Sequence, residues 1–188
     1  MIEIMFDILM NQLRSLSTGS RTFGAGRHIF SQGDGIGSLY LVESGLVHLV
    51  RYQADGNVAV LQRASPGLVL AEASVFSSVY HCDAVAITDV NATAVPTQLI
   101  RRALRSDPDF AEGWASYLSY QLQQTRKRAE IAGLKTVAAR LESWLTWNEG
   151  ELPSKGEWKA LAGDIGVSPE ALYRELSKRR ASFVRGRT

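Results

Sequence analysis

Turn signals recur at intervals of roughly 10 to 12 residues between positions 21 and 100, and this spacing limits the fold more than any other feature of the sequence. The turns lie at residues 30–34, 43–45, 55–57 and 65–67, with short apolar segments between them. Asp55-Gly56 between two such segments is the strongest hairpin signal in the chain. Short strands separated by regular turns favour a β barrel or sandwich over an α/β sheet.

A long helix is predicted from Pro108 to about Gly133. Asp107 suits the N-cap, and Pro108 suits the first helical position, where its missing N–H costs nothing. Spacings of four and three residues alternate along a seam that is typical of paired helices. The seam consists of Ala111, Ala115, Leu118, Leu122, Thr125, Ala129 and Ala132. A helix packed on its own domain gives a similar stripe, but the polar face of Gln121, Gln124, Lys127 and Arg128 beside the narrow seam favours a dimer.

A pair of short helices is predicted near the C-terminus. An apolar face formed by Leu134, Val137, Leu141, Trp144 and Leu145 predicts one preceding helix. Ser154 and Glu157 fit a capping box, and the helix that follows ends at Gly166. Ser168-Pro169 then begins another helix. Ala162 is small where the two helices cross, and Gly166 supplies a positive φ at the turn. The miniature core would be Leu161, Ile165, Val167 and Leu172.

This helix–turn–helix pattern also occurs by chance in unrelated helical hairpins. If it binds DNA, the helix from Pro169 is the recognition helix, whose first turns enter the major groove. Glu170 would accept a hydrogen bond from a cytosine amino group, and Arg174 would donate two to guanine. The alternative for these two residues is a surface ion pair. The predicted DNA-binding residues are Ser168, Pro169, Glu170, Tyr173, Arg174, Lys178, Arg179 and Arg180.

Positive charge is concentrated at the C-terminus, although the net charge is only +2. The last eleven residues hold Lys178, Arg179, Arg180, Arg185 and Arg187 and no acid. Clustered charge of this kind is typical of a phosphate-binding surface, and a solvated tail is the alternative.

The chain resembles the Crp/Fnr superfamily of bacterial regulators over nearly its whole length. The resemblance lies in Ile29-Phe30-x-Gln32-Gly33-Asp34, Leu39-Tyr40-Leu-Val42-x-x-Gly45, Gly67, Ala71-Glu72-Ala-Ser-Val-Phe76 and the C-terminal helix–turn–helix. It implies an α+β chain with three parts. These are a cyclic-nucleotide-binding-like β-roll (a jelly-roll-like double-stranded β-helix) over residues 1–105, a long dimerisation helix over 106–133, and a winged-helix-type DNA-binding domain over 134–188. The predicted dimer contacts are Leu118, Leu122, Thr125 and Ala129.

The sequence departs from this family where a cyclic nucleotide would bind. Members that bind cyclic AMP hold its phosphate with an arginine and a serine, and Cys82 and Asp83 occupy those two positions here. Ala71 replaces a glycine, and Thr125 takes the long-helix position that faces the base. A carboxylate repels a phosphodiester. We therefore expect a degenerate effector pocket of Glu72, Ala73, Cys82, Asp83 and Thr125 that does not bind cyclic AMP usefully.

His81, Cys82 and Asp83 are residue types that ligate metals, and some family members bind haem in this region. On a strand, His81 and Asp83 would share one face while Cys82 points away, and two ligands make a poor metal site without His28 or His48. A polar loop, or His81 bonded to a carboxylate, is the simpler expectation. Asp83 also disfavours a redox role for the Cys82 thiol. No cofactor or metal is predicted.

The C-terminus departs from the family as well. Residues 181–188 leave room for one strand or a basic tail, which implies a shortened wing. Pro169 stands where the family commonly has an arginine, so the operator should differ from the family's usual site.

The sequence predicts a dimeric, cytoplasmic regulator that binds double-stranded DNA, with RNA polymerase and an unknown small-molecule effector as candidate partners. The alternative is a β-roll ligand-binding module whose degenerate helix–turn–helix contacts protein. An enzyme is not expected, because the chain lacks a Gly-rich phosphate loop, an H-E-x-x-H motif and a nucleophile with a credible base. The N-terminus lacks the basic start of a signal peptide, and no apolar run is long enough to span a membrane.

Overall fold

The computed structural model describes the backbone of residues 2–185 and the side chains of residues 6–180. The chain divides into two compact units, residues 1–118 and residues 119–188. No helix in the described part is long and apolar enough to cross a bilayer.

The first unit is a β-roll flanked by helices. Its elements are α1 (Ile2–Ser15), β1 (Gly19–Phe23), β2 (His28–Phe30), β3 (Ser38–Ser44), β4 (Val47–Tyr52), β5 (Val58–Ala64), β6 (Val69–Leu70), a 3-10 turn (Glu72–Ser74), β7 (Asp83–Ala86), β8 (Val90–Pro96), α2 (Thr97–Ser106) and the start of α3 (Pro108–Gly133).

The strands form two antiparallel four-stranded sheets, in the orders β1-β8-β3-β6 and β2-β7-β4-β5. β4 and β5 pair around Asp55-Gly56, with Tyr52 opposite Val58, so the predicted hairpin is confirmed. Leu39, Leu41 and Leu70 are fully buried in the core of the unit. The predicted β-roll is therefore present, and β3 lies deep within it, since four consecutive residues of that strand, 39–42, are buried.

The backbone geometry at Gly45 explains why one motif of the family resemblance ends in glycine. Gly45 turns the chain between β3 and β4 with a φ of 89°. A Cβ atom there would lie 2.2 Å from the backbone oxygen of Asp89. Only glycine fits this turn without moving the backbone.

Two helices of the first unit were not predicted. Residues 97–100 were expected to be β structure, but α2 begins at Thr97, with Thr97 and Ile100 buried at helical spacing. α1 buries Leu9 and Leu13. In both segments, apolar residues three or four positions apart are the signal for a helix, and the regular turns nearby do not reveal it.

α3 begins at Pro108 as predicted, and the Phe110 amide donates to Asp107 Oδ1 at 3.0 Å. The face that packs into the first unit carries Phe110, Trp114 and Tyr117. Each of these residues comes directly before a member of the predicted seam, namely Ala111, Ala115 and Leu118.

The second unit contains the rest of α3, then α4 (Val137–Trp147), a 3-10 turn (Lys155–Glu157), α5 (Trp158–Asp164) and α6 (Pro169–Arg185). Its core is formed by Ile131, Leu141, Trp158, Leu161, Ala162, Ile165, Leu172 and Leu176. The capping box is confirmed, with the Ser154 amide donating to Glu157 Oε2 at 3.1 Å.

The expectation that residues after 180 could form a strand is wrong for residues 181–185, which continue α6. Residues 170–185 contain neither glycine nor proline and are rich in alanine, leucine, lysine and arginine, which favour helix. Residues 186–188 lie outside the described part of the chain.

Candidate functional site

The segment that carries Glu72 follows β6 directly. Ala71 adopts a left-handed conformation, with φ 64° and ψ 26°, and the 3-10 turn starts after it. This conformation favours glycine, so the alanine retains a strained backbone where the resembling family has a glycine. The Glu72 carboxyl is mostly buried, and its burial raises the pKa to about 7. A proton therefore occupies this carboxyl in much of the population near neutral pH.

Two helices of the same unit hold this segment in place. The Tyr117 hydroxyl of α3 accepts a hydrogen bond from the Val69 amide at 2.9 Å. Arg101 of α2 donates from Nε to the Val75 carbonyl at 2.6 Å and from Nη2 to the Ser77 carbonyl at 3.1 Å. Both contacts were missed from the sequence, because hydrogen bonds between a side chain and a distant backbone group leave no trace in residue spacing. They fix the segment at its start and at its end.

Cys82 and Asp83 stand at the beginning of β7, and both are buried. Burial raises the pKa of the Cys82 thiol, and the charges of Asp83 and Glu72 raise it further, while Arg51 lowers it. The Arg51 Nη2 atom donates to the His81 carbonyl at 2.9 Å. A buried thiol with a raised pKa is a weak nucleophile and a weak anion-binding group.

Asp83 pairs with a histidine, but not with the neighbouring one. Its Oδ1 atom lies 3.5 Å from Nδ1 of His28, whereas His81 Nε2 lies 3.0 Å from the Ser77 hydroxyl. Of the two expectations for His81, the bond to a carboxylate is wrong, because the Ser77 hydroxyl is its partner, and the polar loop is what the structure shows. Among the described residues, no group of three or more histidine, cysteine, aspartate and glutamate side chains is gathered closely enough to hold a metal ion.

The other members of the predicted pocket differ in exposure and place. Ala73 is exposed on the 3-10 turn beside Glu72. Thr125 belongs to the second unit, and its hydroxyl donates to the Gln121 carbonyl at 2.9 Å within α3. Glu72, Cys82 and Asp83 all lie in the first unit.

The turn between α5 and α6 has the geometry that the sequence predicts. Gly166 has a φ of 65°, and the Val167 amide donates to the Ala162 carbonyl at 2.9 Å. Ser168 caps α6, with its hydroxyl accepting from the Ala171 amide at 3.2 Å. Ala162 and Leu172 are completely buried between the helices. The helix–turn–helix is a packed unit with a capped second helix.

The first turns of α6 present polar side chains to solvent. Glu170, Tyr173, Arg174 and Lys178 are all exposed, and Pro169 is the first residue of the helix. Hydrogen bonds from its own amide and from Ser168 lower the pKa of Glu170, so this carboxyl is charged at neutral pH. The Tyr173 ring centroid lies 5.8 Å from that of Trp158.

The two arginines after Lys178 have different surroundings. Arg179 donates to Glu142 Oε2 at 2.9 Å and to the Ala138 carbonyl at 3.1 Å, which ties α6 to α4. The Arg180 guanidinium lies over the Trp158 ring, 5.3 Å from its centroid. Arg179 is therefore engaged inside the second unit, whereas Lys178 and Arg180 are exposed.

Much of the predicted α3 seam is open to solvent in the single chain. Ala115, Thr125 and Ala129 are exposed, and Leu122 retains 50% of its surface. Leu118 is half-buried and packs partly against the core of the first unit.

Known proteins resemble both the sequence and the fold. Residues 20–107 match the family model described as Cyclic nucleotide-binding domain. The chain is 27% identical over 187 residues to the global nitrogen regulator of Synechococcus elongatus, covering 94% of this chain and 83% of that protein.

Two solved structures share the fold over most of the chain. The c-di-GMP-responsive global regulator CLP of Xanthomonas campestris has a TM-score of 0.65 and 22% identity, with 94% of this chain and 92% of that chain covered. FixK2 of Bradyrhizobium japonicum has a TM-score of 0.68 and 19% identity, with 87% of this chain and 85% of that chain covered.

Residues 20–107 are therefore similar to cyclic nucleotide-binding domains. As a whole, it has the fold of the Crp/Fnr-type transcription regulators, which confirms the resemblance that its motifs indicate.

Proposed function

We propose that this chain is a dimeric transcription regulator that binds specific DNA sequences through α6 and does not respond to cyclic AMP. The observation that carries the proposal is the face of α6 where Glu170 and Arg174 project into solvent from a helix capped by Ser168. N-terminal residues of a recognition helix are the ones that contact base edges. Similarity to transcription regulators over most of the chain supports the same function.

The roles of the polar residues on α6 follow from their chemistry. Arg174 can donate two hydrogen bonds to one guanine, and Glu170 can accept one from cytosine, so these residues would discriminate between sequences. Tyr173, Lys178 and Arg180 would contact sugar or phosphate, which adds affinity without sequence information. Arg179 would contribute indirectly, by holding α6 on α4.

Dimerisation is supported by the separation of the two faces of α3. The stripe of Phe110, Trp114 and Tyr117 packs into the first unit, while Leu122 and Ala129 on the seam stay exposed. A second copy of the chain that pairs along this seam would bury them at helical spacing. Two recognition helices would then contact two half-sites of one operator.

Independence from cyclic AMP is supported by the charges around the predicted pocket. Glu72 and Asp83 are acids, and the nearby Arg51 guanidinium donates to the His81 carbonyl. A cyclic phosphodiester would meet the Cys82 thiol where a bidentate arginine contact is needed, with the Asp83 carboxylate beside it. Calorimetric titration with cyclic AMP should give no binding heat up to about 1 mM nucleotide. Low-micromolar binding would overturn this part of the proposal.

DNA binding is tested by electrophoretic mobility shift with DNA from upstream of the chain's own gene. We expect a shift at low salt that survives excess unrelated competitor DNA and weakens steeply as salt rises. No shift at low salt, with the protein in micromolar excess, would contradict the proposal. That result would instead favour a ligand-binding module whose helix–turn–helix contacts protein.

A further inference from the structure

Arg140, in the first turn of α4, donates hydrogen bonds to four backbone carbonyl oxygens. Its Nε atom lies 2.8 Å from the Leu134 oxygen, and its Nη2 atom lies 2.8 Å from the Ala132 oxygen. Its Nη1 atom lies 2.8 Å from the Gly166 oxygen and 3.2 Å from the Ile165 oxygen. One side chain therefore contacts the end of α3 and the turn between α5 and α6.

The chemistry of a helix C-terminus explains why an arginine stands here. The last carbonyl groups of a helix have no partner within the helix and carry partial negative charge. Two such ends, those of α3 and α5, converge on Arg140. A guanidinium presents five N–H groups in a rigid plane, so one arginine can bond to both ends at once. A lysine would keep the charge but could not hold the same four acceptors in one geometry.

The contact with the turn is close as well as polar. A Cβ atom on Gly166 would lie 3.3 Å from Arg140 Nη1. The same α4 helix holds α6, since Arg179 donates to the Ala138 carbonyl and to Glu142. The turn after α5 and helix α6 are thus both bonded to α4, which is itself bonded to the end of α3.

We propose that Arg140 is a positioning residue that fixes the helix–turn–helix against the end of α3, so that it governs discrimination between DNA sequences more than affinity for DNA. The proposal rests on the proposed DNA-binding function. Base contacts require donors and acceptors to be placed within a fraction of an ångström, whereas phosphate contacts tolerate displacement. Arg140 itself need not touch DNA for this role.

The test compares Arg140→Met and Arg140→Lys with Arg105→Met, which removes an exposed arginine of α2. Dissociation constants are measured by fluorescence anisotropy for a duplex that the wild type selects from a random library, and for a scrambled duplex. Amide hydrogen exchange of residues 162–168 and 131–135 is followed by mass spectrometry in the same proteins. Thermal unfolding shows whether each variant is folded. If Arg140→Met does not fold, the comparison of Arg140→Lys with the wild type decides the test.

Both Arg140 variants should lose at least about 10-fold in affinity for the selected duplex and stay within about 2-fold for the scrambled one. Exchange in the two segments should be faster in these variants, and Arg105→Met should match the wild type in every measurement. An equal loss on both duplexes, or unchanged exchange, would overturn the proposal. If the wild type itself prefers no duplex, the DNA-binding function fails, and hydrogen exchange alone decides whether Arg140 fixes the turn.

Discussion

Glu72 shows how the surroundings of one residue change its chemistry. Its identity matches the resembling family, but burial raises the pKa of its carboxyl to about 7 in this chain. Since the folded state keeps a proton that the unfolded state releases above pH 4.5, folding becomes less favourable as the pH rises from about 4.5 to 7. The cost is fully present above pH 7.

Glu72→Gln should remove this dependence on pH. The difference in free energy of unfolding, variant minus wild type, should increase between pH 5 and pH 8 by an amount on the order of 3 kcal/mol. Urea denaturation followed by circular dichroism at several pH values measures the difference. Glu112→Gln, at an exposed position of α3, is the matched control. A constant difference between wild type and Glu72→Gln across this range would contradict the prediction.

Gly45→Ala should destabilise the first unit by about 3 kcal/mol or more, because a positive φ and a close backbone contact act together. The Cβ atom would lie 2.2 Å from the Asp89 oxygen. Thermal unfolding by calorimetry measures the effect. Gly35→Ala is the control, since its Cβ would meet no atom within 4 Å and its φ is outside the left-handed region. Equal stability of the two variants would show that the close contact is absent in solution.

At this scale, the sequence predicts which residues would line an effector pocket but not what surrounds them. Cys82 and Asp83 were identified by their distance from Glu72 along the chain. The partner of Asp83, His28, comes from a strand 55 positions earlier that pairs with β7. Such a pairing depends on sheet topology, which a local pattern does not encode.

Among the elements, α3 has one face that packs on the core of the first unit and an adjacent face that is largely exposed. The buried stripe of Phe110, Trp114 and Tyr117 is offset by one residue from the seam, most of which is exposed. Sequence periodicity detected the seam because its spacing alternates, and it overlooked the aromatic stripe, which has the same period. A periodic pattern alone cannot state which of two adjacent faces meets the chain's own core.

Tyr117→Phe tests the link between α3 and the segment that carries Glu72. Loss of the hydroxyl leaves the buried Val69 amide without its acceptor, which should lower the free energy of unfolding by about 1–3 kcal/mol. Urea denaturation measures this loss. Tyr173→Phe, which changes an exposed tyrosine, should leave stability unchanged. If both variants are as stable as the wild type, the hydrogen bond is not formed in solution.

Arg174→Ala addresses the proposed role of α6. The selected duplex should bind more weakly by about 1–3 kcal/mol, and the preference at one base-pair position should relax. Lys178→Ala should instead weaken binding to selected and scrambled duplexes alike, because a phosphate contact carries no sequence information. Anisotropy titrations with single-base-pair variants of the duplex measure both effects. Identical base preferences in Arg174→Ala and wild type would exclude Arg174 from base contact.

The helix termini were predictable because capping chemistry is local. Asp107-Pro108, Ser154 with Glu157, and Ser168-Pro169 each begin their elements as the sequence predicts. α6 differs at its other end, where the chain offers no glycine or proline to stop it before residue 186. The signals that start an element were explicit in this sequence, and α6 continues through residues 181–185, which contain no residue that would stop a helix.

For the molecule as a whole, the proposed dimer would pair through the α3 seam, most of which the single chain leaves exposed. Leu122→Glu should raise the dissociation constant of the dimer by at least about 100-fold, since pairing would bury two carboxylates at the seam. Sedimentation equilibrium measures it. Leu152→Glu places the same charge at another exposed leucine and should leave the dimer intact. A monomeric wild type, or a dimer that tolerates Leu122→Glu, would contradict pairing through this seam.

The division of the chain is consistent with a regulator that joins a β-roll to a helix–turn–helix through one long helix. The β-roll resembles the family fold and carries Cys82 and Asp83 where the cyclic-AMP binders of that family carry a phosphate-binding arginine and serine. The C-terminal unit has a packed and capped helix pair whose outer face is polar. The central claim is that this second unit recognises DNA sequence.

The most direct measurement is the ratio of the wild-type protein's affinities for its selected duplex and for a scrambled duplex of equal length, taken by anisotropy at near-physiological salt. The account predicts a ratio of about 1,000 or more in favour of the selected duplex. A ratio near 1 at every salt concentration would contradict it, because binding would then depend on charge alone.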